Sequence, residues 1–132
     1  MKKTFLDSGV LLKAWRSKDA ERALSIMADV GREFYTSQMV KLELLSKAQF
    51  FRKAGEREFY DAHFDTVKNE EPLSRELGNE ALQLGKKYGL AAADALNVAA
   101  AIRQGVEEFI TVELPGKPMF RVPGLLFTSI HS

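Results

Sequence analysis

The chain has 132 residues, 45% hydrophobic and 28% charged, a composition that fits one soluble α/β-sized domain over residues 1–132. It contains no cysteine, which excludes disulfides, thiolate zinc sites and thiol nucleophiles. The net charge of +1 advertises no global affinity for nucleic acid, so any basic surface has to be local.

The opening M-K-K-T-F-L-D carries two lysines, but Asp7 arrives too early for the apolar stretch of a signal peptide. No apolar run approaches the roughly 20 residues of a membrane span, so a cytoplasmic protein without membrane contact is expected. Residues 3–6 read as a short buried strand ending at Asp7. Ser8 and Gly9 lead into a helix over 10–16, with Val10, Leu11, Ala14 and Trp15 on its apolar side. Asp19 is expected to cap a second helix that buries Ala23, Leu24, Met27 and Val30 and stops at Gly31. A strand over 33–36 follows, and Ser37 caps a third helix running to about residue 54, with Val40, Leu44, Ala48 and Phe51 inward. Gly55 is expected to break it. A fourth helix over about 56–67 has Phe59, Tyr60 and Phe64 on its aromatic side. Residues 69–73 form a loop or short edge strand. Ser74 then caps a helix that Gly89 ends, and an Ala-rich helix, a strand over 109–112 and a last strand near 125–128 complete the chain. Short apolar strands alternating with amphipathic helices predict an α/β domain whose mainly parallel sheet is covered on both faces.

Residues 90–102 read L-A-A-A-D-A-L-N-V-A-A-A-I, and only Asp94 and Asn97 are polar. Three apart, they share one helix face. A buried carboxylate needs a partner, because desolvating the charge costs several kcal/mol or more. In parallel α/β sheets, sites form beyond the carboxyl ends of the strands. Asp7 ends one strand, Glu113 follows another, and Glu43 lies on the flank of the helix after the second strand. If those ends share an edge, Asp7, Glu43, Asp94 and Glu113 converge. Four carboxylates would repel one another, and a hard divalent cation such as Mg²⁺ or Mn²⁺ would remove the conflict. Such a site suits phosphodiester hydrolysis. Each acid also has a plain reading: Asp7 as a helix cap, Asp94 as a dipole partner, Glu43 as a half-solvated flank, and Glu113 as a loop residue.

Four segments stand in order: F-L-D-S-G-V-L-L, Y-T-S-Q-M-V-K-L-E-L-L, G-L-A-A-A-D-A-L-N-V-A-A-A-I and F-I-T-V-E. In these, the chain resembles the PIN-domain ribonucleases, and most closely the small VapC-type toxins of bacterial and archaeal toxin–antitoxin pairs. The resemblance implies an α/β/α sandwich and Mg²⁺- or Mn²⁺-dependent cleavage of RNA. It also implies a homodimer and a cognate antitoxin that blocks the acidic pocket. Asp7, Glu43 and Asp94 match the family's three principal metal-binding acids. Ser8 and Thr111 fall where the family often has hydroxyl residues that bond those acids. Glu113 departs from the usual aspartate; its additional methylene would leave a second metal position displaced, weaker or filled through water. Asn97 is given a supporting role beside the acids or one in helix packing. Lys13 and Arg16 follow Asp7, and Lys117 and Arg121 follow Glu113; all four are candidates for RNA phosphates, with a solvated surface as the plain alternative. His63 and His131 have no metal-ligand spacing.

Other classes fare worse. Gly9 stands two residues after Asp7, so the D-x-D pattern of aspartate phosphatases is absent, and no acidic pair precedes the first strand. Neither the dinucleotide-binding nor the P-loop glycine motif occurs. A catalytically silent PIN-like module that binds RNA or protein stays open because of Glu113.

Overall fold

The expected strands all pair in one sheet. The structure, a computed structural model, describes residues 1–131. Strands β1 (Lys2–Leu6), β2 (Arg32–Ser37), β3 (Asn69–Glu71), β4 (Glu108–Thr111) and β5 (Leu126–Ser129) lie in the order β3-β2-β1-β4-β5. Every neighbouring pair is parallel, with Phe5 opposite both Tyr35 and Phe109. The helices are α1 (Ser8–Arg16), α2 (Glu21–Met27), α3 (Gln38–Phe50), α4 (Ala54–Phe64), α5 (Arg75–Tyr88) and α6 (Ala92–Arg103). Right-handed crossovers place α1 to α4 on one face, and α5 and α6 on the other as the chain returns from β3 to β4. The result is an α/β/α sandwich whose topological switch lies between β1 and β4.

The core explains the central run of alanines. Phe5 and Phe109, both fully buried, stack with ring centroids 5.1 Å apart. Each contributes about 1.5–3 kcal/mol from burial. On α6, Ala95 and Val98 to Ala101 are all buried, and their small side chains let α6 approach both the sheet and α5.

Local chemistry sets most boundaries as expected. The Ser37 hydroxyl accepts from the Val40 N–H and the Ser74 hydroxyl from the Leu77 N–H, both at 3.1 Å, starting α3 and α5. Gly89 ends α5 in the left-handed region at φ 77°. Residues 69–71 form the edge strand of the two options.

Three helices differ: α4 runs over Ala54–Phe64 rather than about 56–67, and α2 and α3 each differ at one end. Helix α2 begins at Glu21 with Ala20 at the cap position, because Asp19 is held in a turn by its N–H to Ser17 Oγ (3.0 Å). Leu24 and Val30, expected inward, are exposed on this short helix and the loop after it. Helix α3 stops at Phe50, before Gly55. Arg52 adopts φ 53°, and the N–H groups of Arg52 and Lys53 close onto the carbonyls of Gln49 (3.1 Å) and Ala48 (2.8 Å). Phe51, expected inward, is therefore on the surface. Gly55 sits in the first turn of α4, where the Trp15 ring lies over its Cα.

Candidate active site

Asp7 directly follows central strand β1, and its N–H still bonds the Ile110 carbonyl of β4 (3.0 Å). This is the switch point, where the crevice between diverging crossovers opens. One carboxylate oxygen accepts from the Ser8 N–H at 2.9 Å and so caps α1; the other accepts from the Thr111 hydroxyl at 3.1 Å. The capping reading and the site reading of Asp7 are thus both satisfied by one side chain. Asp7 is buried, and its carboxyl is pushed up to about 7. Burial is the largest cause and the negative charge of Asp94 the next; the bonds from Thr111 and Ser8 pull the other way, and Glu43 adds a further upward push.

Asp94 lies in the first turn of α6, half-buried. Burial raises its carboxyl first and the charge of Glu113 second, while Lys117 lowers it. Glu43 projects from α3 at the rim. Burial raises its carboxyl, hydrogen bonds from Asn97 and Ser8 oppose this, and Asp94 raises it further. Asp94 therefore acts on Asp7 and Glu43 and is acted on by Glu113. The four acids form one electrostatic cluster, as the strand ends predict.

The supporting bonds fix where these acids point. Asn97 is buried; its Nδ2 donates to Glu43 Oε1 at 3.3 Å, and its Oδ1 accepts from the Ser37 hydroxyl at 2.7 Å. The reversed amide would set its oxygen against the Glu43 carboxylate, so the network selects one orientation. Ser37 is the residue that sequence reasoning gave only half a role. Its cap was legible, but its bond to Asn97 spans 60 positions and leaves no local signal. At the other wall, Thr111 Oγ accepts from the Glu113 N–H at 3.1 Å while donating to Asp7. The Ser129 hydroxyl donates to the Glu113 carbonyl at 2.6 Å, so β5 pins the loop that carries Glu113. A Cβ at Gly9 would stand 2.5 Å from Val112 Cγ2, in the same loop, so a larger residue there would force Val112 or the loop to shift.

The four candidate RNA-contact cations separate. Lys117 lies within electrostatic reach of Asp94, and Arg121 is exposed in the 3₁₀ helix Pro118–Arg121. Lys13 borders a hollow with Lys18, Asp19 and Arg22, toward α2. Arg16 departs from the expectation. At the far end of α1, its guanidinium holds both oxygens of the buried Glu56 of α4, at 3.0 and 3.2 Å, and the Tyr60 hydroxyl donates to the same carboxylate at 2.5 Å. That charge ties two helices together.

The donor set suits a hard divalent cation by its chemistry: carboxylate oxygens only, three of them pushed toward their neutral forms by burial and by one another. Among the described residues, no three His, Cys, Asp or Glu side chains already stand as ligands around one point.

Comparison with solved structures finds the same fold repeatedly. VapBC2 from Rickettsia felis, bound to a DNA fragment from its promoter, aligns with a TM-score of 0.72 at 16% identity, over 96% of this chain and 98% of that one. A toxin–antitoxin complex from Klebsiella pneumoniae gives 0.68 at 20% identity, over 93% and 95%. VapC20 from Mycobacterium tuberculosis, described as a toxin cleaving the sarcin–ricin loop, gives 0.61 at 15% identity, over 89% and 93%. No curated protein matches by sequence. The PIN-domain family model matches residues 4–113, a span that contains all four acids with Ser8, Ser37, Asn97 and Thr111. On that match and this sheet order, the chain belongs to the PIN-domain family.

Proposed function

We propose that the chain is a metal-dependent endoribonuclease that hydrolyses RNA phosphodiester bonds and serves as the toxin of a type II toxin–antitoxin pair. The observation that carries this reading is the acidic cluster at the switch point, with Asp7 buried and pushed up to about 7 by desolvation and by its acidic neighbours. A structural role alone gives no reason to gather Asp94 and Glu43 around a carboxylate already used as a cap, with Glu113 beside Asp94. A divalent cation such as Mg²⁺ or Mn²⁺ supports it by relieving that repulsion. Asp7, Glu43 and Asp94 would hold the ion, with Glu113 on the far wall. When bound, it supplies Lewis acidity toward the phosphoryl group and offsets charge on the leaving oxygen.

The chain's own residues do the positioning. Thr111 and Ser8 fix both oxygens of Asp7, and Asn97, held by Ser37, turns Glu43 toward the cluster. Lys117, which acts electrostatically on Asp94, would meet a phosphate at the mouth. The solved neighbours that are toxin–antitoxin complexes support a cognate antitoxin as partner. A homodimer in the cytoplasm belongs to the same reading, and no helix among the described residues is long and apolar enough to cross a membrane.

The test is incubation of the purified protein with varied RNAs, with and without Mn²⁺, beside Asp94→Asn. Metal-dependent cleavage that the variant loses while keeping its fold supports the proposal. No cleavage of any RNA under any metal condition would favour the silent PIN-like module. A short upstream reading frame for a small DNA-binding protein is expected beside the gene.

A further inference from the structure

Phe50 and Phe51 lie side by side at the end of α3, 78% and 61% exposed, with rings edge-to-face and centroids 4.9 Å apart. A single exposed apolar residue needs no explanation, but two adjacent aromatic rings on a polar tip do. Their surroundings are cationic. Lys47 lies one turn back, and Arg52 and Lys53 follow directly. Lys47 and Arg52 form no ion pair among the described residues.

Position on the helix links this tip to the site. Glu43, Lys47 and Phe50 are spaced by four and three residues, so they form one exposed stripe along α3. At about 1.5 Å rise per residue, Phe50 lies roughly 10 Å beyond Glu43, a reach that a short extended strand covers. The left-handed Arg52 and the hydrogen bonds of the Arg52 and Lys53 N–H groups close the backbone at the end of α3, where both rings stand.

We propose that Lys47, Phe50 and Phe51 form an accessory binding surface for single-stranded RNA, seating the strand next to the cleavage position; this rests on the ribonuclease reading above. Aromatic faces stack on any base, and unpaired cations take the flanking phosphates. A second copy of the chain fits this patch poorly, because a two-fold contact would bring the same unpaired cations face to face.

The experiment is fluorescence anisotropy of a short, labelled, mixed-sequence single-stranded RNA in EDTA, followed by cleavage of the same RNA in Mn²⁺. Phe50→Ala/Phe51→Ala should weaken binding about tenfold, the effect of losing one stacked base. It should raise KM and leave kcat near that of the unaltered protein. Lys47→Ala should reduce the slope of log K against log salt by about 0.7. Phe50→Trp should retain binding. Unchanged thermal melts are expected, since the replaced atoms are exposed. If the unaltered protein cleaves RNA and the double variant binds and cuts equally well, the surface is refuted and the ribonuclease reading stands. An unaltered protein that neither binds nor cuts any RNA removes both. A change of oligomeric state by light scattering in the double variant would reassign the patch to contact between copies and overturn the proposal.

Discussion

Replacing Asp7 with Asn should make the metal-free protein more stable while abolishing cleavage. Asn is as good a helix cap as Asp, so its bond with the Ser8 N–H survives. What changes is the charge. The folded chain pushes this carboxyl from 3.8 to about 7, so the native state holds its proton more tightly than the unfolded state does. Asp7 then contributes no penalty well below pH 3.8, and stability is lost as the pH rises through about 7. At about 1.4 kcal/mol per pH unit, the penalty is about 4 kcal/mol at pH 8 and under 2 kcal/mol at pH 5. Against this, the Thr111 hydroxyl loses its carboxylate acceptor, about 1 kcal/mol. The net gain for Asp7→Asn is therefore roughly 2–3 kcal/mol at pH 8. Urea denaturation in EDTA from pH 4 to pH 8 measures it. A variant less stable than the parent at pH 8, or a gain that persists at pH 4, would refute the buried-charge reasoning. Divalent metal should narrow the gap by stabilising only the parent.

Asn97→Ala should lower cleavage at limiting metal by about 10- to 100-fold, because Glu43 loses its buried donor and Ser37 its acceptor; a metal titration of activity reads this. The same variant should lose about 1–3 kcal/mol in urea. His63 is buried between Phe34 and Phe64, its Nε2 has no partner among the described residues, and burial pushes its pKa down to about 4. The unfolded chain thus binds the proton more readily, and stability should fall by about 3 kcal/mol as pH drops from 6.5 to about 4. His63→Leu should flatten that part of the acid limb in urea midpoints taken across this range. Gly9→Ala should cost about 1–3 kcal/mol, since the new methyl would overlap Val112 Cγ2 and push the loop of Glu113 away from Asp7. A thermal melt at or above that of the parent would show that the loop yields freely.

The strands, the serine caps at 37 and 74, and the glycine stop at 89 depend on local pattern, and they fell where the pattern put them. So did the meeting of Asp7, Asp94 and Glu113, because parallel strands of an α/β sheet bring their carboxyl ends to one edge. Other features depended on neighbours distant in sequence. Glycine is the usual left-handed residue, yet α3 turns at Arg52, while Gly55 lies inside the first turn of α4 against the Trp15 ring. Arg16 looked available to RNA until Glu56 and Tyr60, more than one helix away, claimed its guanidinium. The Ser37–Asn97–Glu43 chain crosses from β2 to α6 and back to α3. By itself the sequence determined which groups are acids and which edge they reach, since periodicity and strand direction are local properties. Only the tertiary structure decided which hydroxyl, amide or cation each acid meets, because those bonds join side chains that the chain order keeps far apart.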